Sequence, residues 1–319
     1  MSSSAPLKYG VDGAPALNAP GKYYFSGRSD NFGAGKTSTN RANGRLDPEG
    51  IRVSADGKSV FITDEYGPYV YQFNRSTGKR IKVFTLPEHF AAASLSAQGE
   101  LEISGNTSGR VANKGMEGLA ITPDGKTLVG IMQQNLAQDT KKYLRIVTID
   151  IATGATHEYA YNLTDGSSVS DILAINDHEF LVDERDGSGL GNGDAAVVKK
   201  LYKIDLAGAS EISTPTIGSD TPVVTKTLFL DVVAALNANG ITSDKVPAKL
   251  EGVAFGPDRV VDNVIKHTLV IACDNDFLPS VDGIANPNQF FVFTIDEADL
   301  PNFVPQSIAP FARDLHDRG

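Results

Sequence analysis

The sequence predicts an all-β chain folded as a β-propeller of four-stranded blades, six in number, with five to seven allowed. Three observations predict it. First, a short apolar strand, a tight turn and a second strand with a polar end recur four times. The copies open at Glu49-Gly50-Ile51, Glu117-Gly118-Leu119, Asp171-Ile172-Leu173 and Glu251-Gly252-Val253. Their second strands end at Asp64-Glu65-Tyr66, Gln133-Gln134-Asn135, Asp183-Glu184-Arg185 and Asp274-Asn275-Asp276. Second, Glu49 and Glu65 are 16 positions apart, as are Glu117 and Gln133, each pair spanning an Asp-Gly-Lys turn. Third, helical periodicity is scarce and strand patterns dominate. A four-stranded unit returning about every 50 to 80 residues is the grammar of a blade. A β-sandwich also has many short strands, but it gives no reason for polar ends at one fixed place in each repeat.

The first copy reads as strands 50–54, 59–64, 69–74 and 80–85. Ser59-Val60-Phe61-Ile62-Thr63 is β-branched and aromatic, and Val70-Tyr71-Gln72-Phe73 and Ile81-Lys82-Val83-Phe84 alternate on either side of the turn Ser76-Thr77-Gly78-Lys79. The second copy places strands at 118–121, 127–132, 144–150 and 157–161. The third runs from Asp171 through Glu179–Val182 to Leu201–Asp205, and the fourth from Glu251 through Leu269–Ile271 to Phe290–Thr294. Short helices are expected at Leu86–Leu95 and Leu230–Asn237. Residues 21–27, 97–104 and 222–231 offer further strand material. No domain boundary is visible. Residues 1–44 are read as an N-terminal segment lending strands to ring closure, 45–300 as the propeller, and 301–319 as a tail that helps close the ring.

The chain has 319 residues, 31 glycines and a formal net charge of −10. Such acidity argues against nucleic acid and anionic membrane surfaces as partners and is compatible with divalent cations. The single cysteine, Cys273, lies in an apolar run and excludes an intrachain disulfide; it reads as a core residue, not a nucleophile. No stretch reaches the roughly 20 apolar residues of a membrane span. The polar start Met1–Pro6 has no signal-peptide core, so either the protein is cytoplasmic or a leader has been replaced by a start Met.

In a hairpin, the start of one strand and the end of the next lie at the same sheet edge. Glu49, Glu117, Asp171 and Glu251 start first strands; Glu65, Glu184, Asp274 and Asp276 end second strands. Carboxylates gathered at one mouth would repel, at ~4 Å and an effective dielectric of about 20 by roughly 4 kcal/mol per pair. Protonation or cation binding relieves this. Oxygen ligands without His or Cys suit Ca²⁺ better than Zn²⁺, and Gln133, Gln134, Asn135 and Asn275 add neutral oxygens. The bland alternative is that each acid caps a turn. Arg185, Lys114, Arg45, Arg28 and Arg41 lie near these acids, where Arg could hold phosphate oxygens or merely pair with Glu. No nucleophile elbow appears. The five histidines lack metal spacing, with His89 the one to test. Gly33-Ala34-Gly35-Lys36-Thr37 lacks the length and context of a phosphate loop.

Asp47-Pro48-Glu49-Gly50-Ile51, Asp64-Glu65-Tyr66-Gly67-Pro68, Gly115-Met116-Glu117-Gly118-Leu119-Ala120, Asp183-Glu184-Arg185-Asp186, Lys200–Leu206 and Cys273-Asp274-Asn275-Asp276-Phe277 together resemble the bacterial phytase-like family, also called "esterase-like activity of phytase". The resemblance runs in order from about residue 45 to 296. It implies a secreted or periplasmic propeller, Ca²⁺-dependent and acting on phosphoesters.

The expectation is a Ca²⁺-dependent hydrolase of phosphate esters or other small esters, monomeric and without a transmembrane segment. Its metal ligands would be Glu49, Glu65, Glu117, Asp171, Glu184, Glu251 and Asp274. Arg185 and Lys114 would hold phosphate oxygens. Glu117, if not engaged by metal, would be the general base. Two alternatives stand beside it: a Ca²⁺-dependent lactonase with an apolar-walled mouth, and a non-catalytic, Ca²⁺-stabilised propeller binding a ligand or protein through loops 186–199 and 282–289.

Overall fold

The computed structural model describes residues 37–39, 46–96, 99–212 and 214–310. Blade 1 is β1 (Pro48–Val53), β2 (Ser59–Asp64), β3 (Tyr69–Asn74) and β4 (Arg80–Thr85). Blade 2 is β5 (Met116–Ile121), β6 (Thr127–Met132), β7 (Tyr143–Asp150) and β8 (Thr156–Asn162). Blade 3 is β9 (Ser168–Ala174), β10 (Glu179–Arg185), β11 (Lys199–Asp205) and β12 (Lys226–Asp231). Blade 4 has three strands, β13 (Leu250–Val261), β14 (Val264–Cys273) and β17 (Phe290–Ile295), with the small hairpin β15 (Ser280–Val281) and β16 (Ile284–Ala285) inserted before the last. All neighbours within a blade are antiparallel. The chain is thus an all-β propeller, with four blades of the expected six among the described residues.

The first strands β1, β5, β9 and β13 stand side by side in that order around the axis. Apolar layers fill the gaps between blades. Phe61, Val70 and Phe84 of blade 1 pack with Leu119, Leu128 and Val147 of blade 2. Ala120, Ile131 and Tyr161 of blade 2 pack with Ile172, Phe180 and Val182 of blade 3. Leu181 and Leu201 of blade 3 pack with Val253, Leu269, Ile271 and Phe291 of blade 4. Period-two alternation lets each sheet serve the gap on either side.

The two Asp-Gly-Lys turns are built alike. Asp56 Oδ1 accepts from the Lys58 N–H at 3.0 Å, and Asp124 Oδ1 from the Lys126 N–H at 3.0 Å. Gly57 and Gly125 sit at φ 70° and 71°, which a side chain would oppose. This shared chemistry is why the sequence spacing repeats.

Three elements differ from the sequence reading. Leu86–Leu95 yields only a short 3₁₀ turn at Glu88–Phe90, with Pro87 as its extended N-cap. Residues 99–104 are a helix, α1 (Gly99–Ser104), not a strand. Leu101 and Ile103 are exposed there, while Glu102 is buried and accepts from the Tyr66 hydroxyl at 3.3 Å and from the Ser38 hydroxyl. In 222–231, only Lys226–Asp231 is a strand; Asp231 then caps α2 (Val232–Ala238), accepting from the Ala234 N–H at 2.9 Å. Residues 21–27, Gly33–Lys36 of the glycine-rich loop, Arg28, Arg41, Arg45 and His316 lie outside the described residues. The tail reaches blade 1, where the Ala309 N–H donates to Ala55 O at 2.8 Å and Gln306 Nε2 to Val53 O at 3.0 Å.

The glycine after the acid lets successive blades touch. A Cβ on Gly50 would stand 2.6 Å from Leu119 Cβ, and one on Gly118 would stand 2.8 Å from the backbone of Asp171 and Ile172. Gly252 has the same sequence context, but its Cβ would meet only Ala272 Cβ at 3.6 Å. Gly118→Ala is therefore expected to lose about 1–3 kcal/mol of stability, and Gly252→Ala to stay within about 0.5 kcal/mol of the parent. Denaturant midpoints with unchanged slope check this; equal effects at the two sites would contradict the packing account.

Candidate functional site

Each first strand carries one residue more than its partner at the same place. Pro48 pairs with Asp64 and Ile51 with Ile62; Met116 pairs with Met132 and Gly118 with Ile131. Val169 pairs with Glu184 and Ile172 with Val182; Leu250 pairs with Cys273 and Gly252 with Ala272. The extra residue is a β-bulge, which twists a strand and re-aims a side chain. Counting outward from these registers makes Glu49, Glu117, Ser170 and Glu251 equivalent. The residues one step beyond Asp64, Met132, Glu184 and Cys273 on the second strands, namely Glu65, Gln133, Arg185 and Asp274, are equivalent too. The mouth is thus four pairs: Glu49 with Glu65, Glu117 with Gln133, Ser170 with Arg185, Glu251 with Asp274.

Two of these pairs are bonded directly. Gln133 Nε2 donates to Glu117 Oε1 at 2.7 Å, and Arg185 Nε donates to the Ser170 hydroxyl. A cavity of about 320 Å³ lies between the first strands, lined by Glu49, Glu117, Ser170, Asp171, Glu251 and Asp274 among others. One carboxylate oxygen each of Asp47, Glu49 and Glu65 lie within 4.8 Å of one another. That is about the distance between oxygens on opposite sides of a Ca²⁺ ion with bonds of about 2.4 Å.

Burial and crowding act on these carboxyls in one direction. Burial, followed by the charges of Glu65, Asp47 and Glu251, pushes Glu49 up to about 8. Glu49 is exposed to the cavity, and water there screens part of that effect. Burial and Asp47 push Glu65 up to about 7, against the Gly115 N–H and Lys114. Burial, with Glu49, Glu65 and Glu251, holds Glu117 well above the usual carboxylate range. Glu251 is raised by burial, with Arg185 and Lys249 opposing. Glu117 Oε2 and Gln133 Oε1 are buried and have no hydrogen-bond partner among the described residues. Buried oxygens without donors are costly. An all-oxygen set with two such atoms fits a hard cation such as Ca²⁺.

The sequence-predicted residues divide into three groups. Glu49, Glu65, Glu117, Glu251 and Asp274 meet at the mouth. Asp171 lines the cavity but is fully occupied: it accepts from Arg52 at 3.0 Å, from the Ile172 N–H at 2.8 Å and from the Val253 N–H at 3.1 Å, tying three blades together. Glu184 does not line the cavity. It is fully buried and accepts from the Tyr161 hydroxyl at 2.5 Å, the Asp165 and Gly166 N–H groups at 3.1 and 3.2 Å, and Lys226. Both are one step from the equivalent positions, and one step along a strand reverses the face.

Among the cations, Arg185 bonds Glu251, Ser170 and, at 3.5 Å, Asp186 O, so its donors are committed. Lys114 lies in electrostatic reach of Glu65, and its ammonium has no hydrogen-bond partner among the described residues. Cys273 lines the cavity and packs against the core, and burial pushes its thiol up, as expected of a non-nucleophile. His89 lies elsewhere, 3.0 Å from Glu158 and 3.2 Å from Arg145.

Sequence reasoning missed Asp47, which precedes the strand and shows no repeat, and Asp183. Asp183 is buried beside Arg185, Asp171 and Lys199 with Oδ2 partnerless; burial first, opposed by Arg185, brings its carboxyl up to about 8. The register of β10 with β9 was the signal needed for it.

Comparison with known proteins adds the following. The model of the family described as "Phytase-like: Esterase-like activity of phytase" matches residues 18–277. A protein of Arthroderma benhamiae named "Uncharacterized secreted protein" is 30% identical over 215 residues, 56% of this chain and 40% of the relative. The chain therefore spans about two fifths of that relative's length. Among solved structures, Kuenenia stuttgartiensis hydrazine synthase is similar at 14% identity and TM-score 0.35, covering 72% of this chain and 65% of that one. The Myceliophteria thermophila Cps50 (Swd1) β-propeller domain is similar at 10% identity and TM-score 0.32, covering 76% and 72%. Structural likeness at those scores carries no argument about this chain. Among the described residues no helix is long and apolar enough to cross a membrane.

The raised carboxyls set a pH dependence. In chelator, Glu49, Glu65 and Glu117 hold protons when folded at pH values where the unfolded chain has released them. The stability they allow is intact below about pH 4.5; the part from Glu65 is lost as pH climbs through about 7 and that from Glu49 through about 8, and Glu117 acts in the same direction. The melting temperature of the metal-free protein is expected to fall between pH 5 and 8.5, and Glu65→Gln to make that fall shallower. A parent profile flat across this window, followed by circular dichroism, contradicts the crowding described.

Proposed function

The chain belongs to the phytase-like family, and from that premise we propose that it is a Ca²⁺-dependent hydrolase of phosphate esters. The observation that carries the reading is the pair of buried oxygens without a hydrogen-bond partner among the described residues, Glu117 Oε2 and Gln133 Oε1, with the Glu117 carboxyl in electrostatic reach of Glu49 and Glu65 and those two grouped with Asp47. Asp47, Glu49, Glu65 and the Gln133 amide oxygen would hold the ion. Bound there, Ca²⁺ supplies positive charge that favours an anionic ester and makes water a better acid.

The chain's own groups do the rest. Glu117 Oε2, free of hydrogen bonds and raised in basicity by its surroundings, takes a proton from the attacking water. The water oxygen bonds to phosphorus, the phosphorus–oxygen bond to the leaving alcohol breaks, and the proton passes from Glu117 to that alkoxide. Gln133 Nε2 fixes the rotamer of Glu117 through Oε1. Lys114, in electrostatic reach of Glu65, binds a phosphate oxygen as a point charge. Arg185 acts at one remove by holding Glu251 and Ser170 in place. Asp171 and Glu184 support the blades. We read the protein as exported, secreted or periplasmic, in line with the name of its fungal relative, and as a monomer.

A lactonase is the second reading, favoured by the apolar part of the cavity wall, Ile51, Ala272 and Cys273. Turnover of p-nitrophenyl phosphate, phytate and a lactone, with Ca²⁺ and with chelator, tests both. The expected result is chelator-sensitive phosphate release that falls about 10²- to 10⁴-fold in Glu117→Gln with an unchanged circular dichroism spectrum. Turnover of the lactone alone would favour the second reading. Ca²⁺-dependent stabilisation without turnover of any of the three would make the protein a binding propeller.

A further inference from the structure

A second cavity, of about 610 Å³, continues the first down the axis. Ile51 and Arg52 line both. Glu49 and Gly50 of β1, with Glu251 and Gly252 of β13, bound the upper cavity; Val53 and Val253–Phe255 bound the lower. The two make one trench along β1 and β13, which at about 3.3 Å per residue runs roughly 13 Å from Glu49 to Val53.

The lower part is apolar in a specific way. Its charged or amide side chains are Arg52, Asp258 and Gln306, and each is already engaged. Arg52 bonds Asp171 at 3.0 Å, Asp258 bonds His267 at 3.0 Å, and Gln306 bonds Val53 O at 3.0 Å. Ile51 remains 53% exposed and Ile308 43% exposed on its walls. Unspent apolar surface in a concave site, joined to a cluster of polar groups at one end, is the pattern of a small-molecule site for a ligand with one polar end.

We propose that the substrate is an amphipathic ester: its phosphate lies at the carboxylate cluster and its alkyl part lies in the lower trench against Ile51, Val53, Ala254 and Ile308. This rests on the hydrolase reading for the identity of the head group. It disfavours wholly polar substrates such as phytate, whose every face is charged.

The test is calorimetric titration of the Ca²⁺-loaded protein with n-alkylphosphonates, which cannot release phosphate by hydrolysis. Each buried methylene should raise affinity roughly threefold to fourfold. Allowing for ordering of the chain, octylphosphonate is expected to bind at least about 30-fold more tightly than ethylphosphonate. Ala254→Trp, which fills the trench, should bring octylphosphonate down to the affinity of ethylphosphonate, and Ile308→Asp should weaken it too. Val260→Ser, an exposed apolar site outside the trench, should keep the 30-fold preference. Equal affinity for the two phosphonates, no binding of either, or an undiminished preference in both trench variants overturns the proposal. If the preference is present but no ester is turned over, the trench assignment stands and the hydrolase reading falls. If esters are hydrolysed with no dependence on chain length, the trench assignment falls alone.

Discussion

One extra residue in the first strand of each blade governs the site. A strand presents alternate residues to alternate faces, and an uninterrupted β1 or β5 would keep its acid in that alternation. The bulge breaks the period and opposes two residues to one, leaving Glu49, Glu117, Ser170 and Glu251 at the mouth. Gly50 and Gly118 follow directly and have no side chain where the next blade presses in. Bulge and glycine act together: one aims the carboxylate, the other draws its neighbours near enough to repel it. Burial first, and repulsion second, raise Glu49, Glu65 and Glu117 in that geometry.

The four pairs at the mouth are not alike, and the asymmetry concentrates charge. Blade 3 contributes Ser170 and Arg185 where the others contribute acids or an amide. Arg185 turns to Glu251, so the charge on the blade 4 side is partly neutralised within the protein. Asp171 is neutralised by Arg52 reaching across from blade 1. Those pairings leave Asp47, Glu49, Glu65 and Glu117 crowded on the side of blades 1 and 2. Glu65 is coupled there to blade 2, its Oε1 accepting from the Gly115 N–H at 3.3 Å. The bonded position of Asp171 and the place of Glu49 at the mouth are two outcomes of one sequence motif, separated by a single step of register.

Much of this was legible in the sequence where chemistry is local. The Asp56-Gly57-Lys58 and Asp124-Gly125-Lys126 turns fix hairpin register, so strand positions in blades 1 and 2 followed within a residue or two. The carboxylates Glu49, Glu117 and Glu251 followed as well, because each precedes a glycine. What depends on contacts between distant segments did not follow. The copy beginning at Asp171 has Ser170-Asp171 where the others have an acid plus Gly, and taking its acid as the ligand put Asp171 in the place that Ser170 holds. Residues 97–104 read as strand material, and the burial of Glu102 against Ser38 and Tyr66 accompanies the helix found at 99–104. Glu184 looks like Glu65 in sequence, yet Tyr161 and Lys226, from two other strands, hold it in the blade interior.

The central proposal is one hard-cation site formed by the Asp47, Glu49 and Glu65 oxygens, with Glu117 in electrostatic reach and Gln133 bonded to Glu117. A crystal structure of the protein grown in Ca²⁺ tests that most directly. The account predicts an ion about 2.3–2.6 Å from oxygens of at least three of these residues. Calcium found only on exposed outer loops, with Glu49 and Glu65 paired to cationic side chains instead, would contradict it.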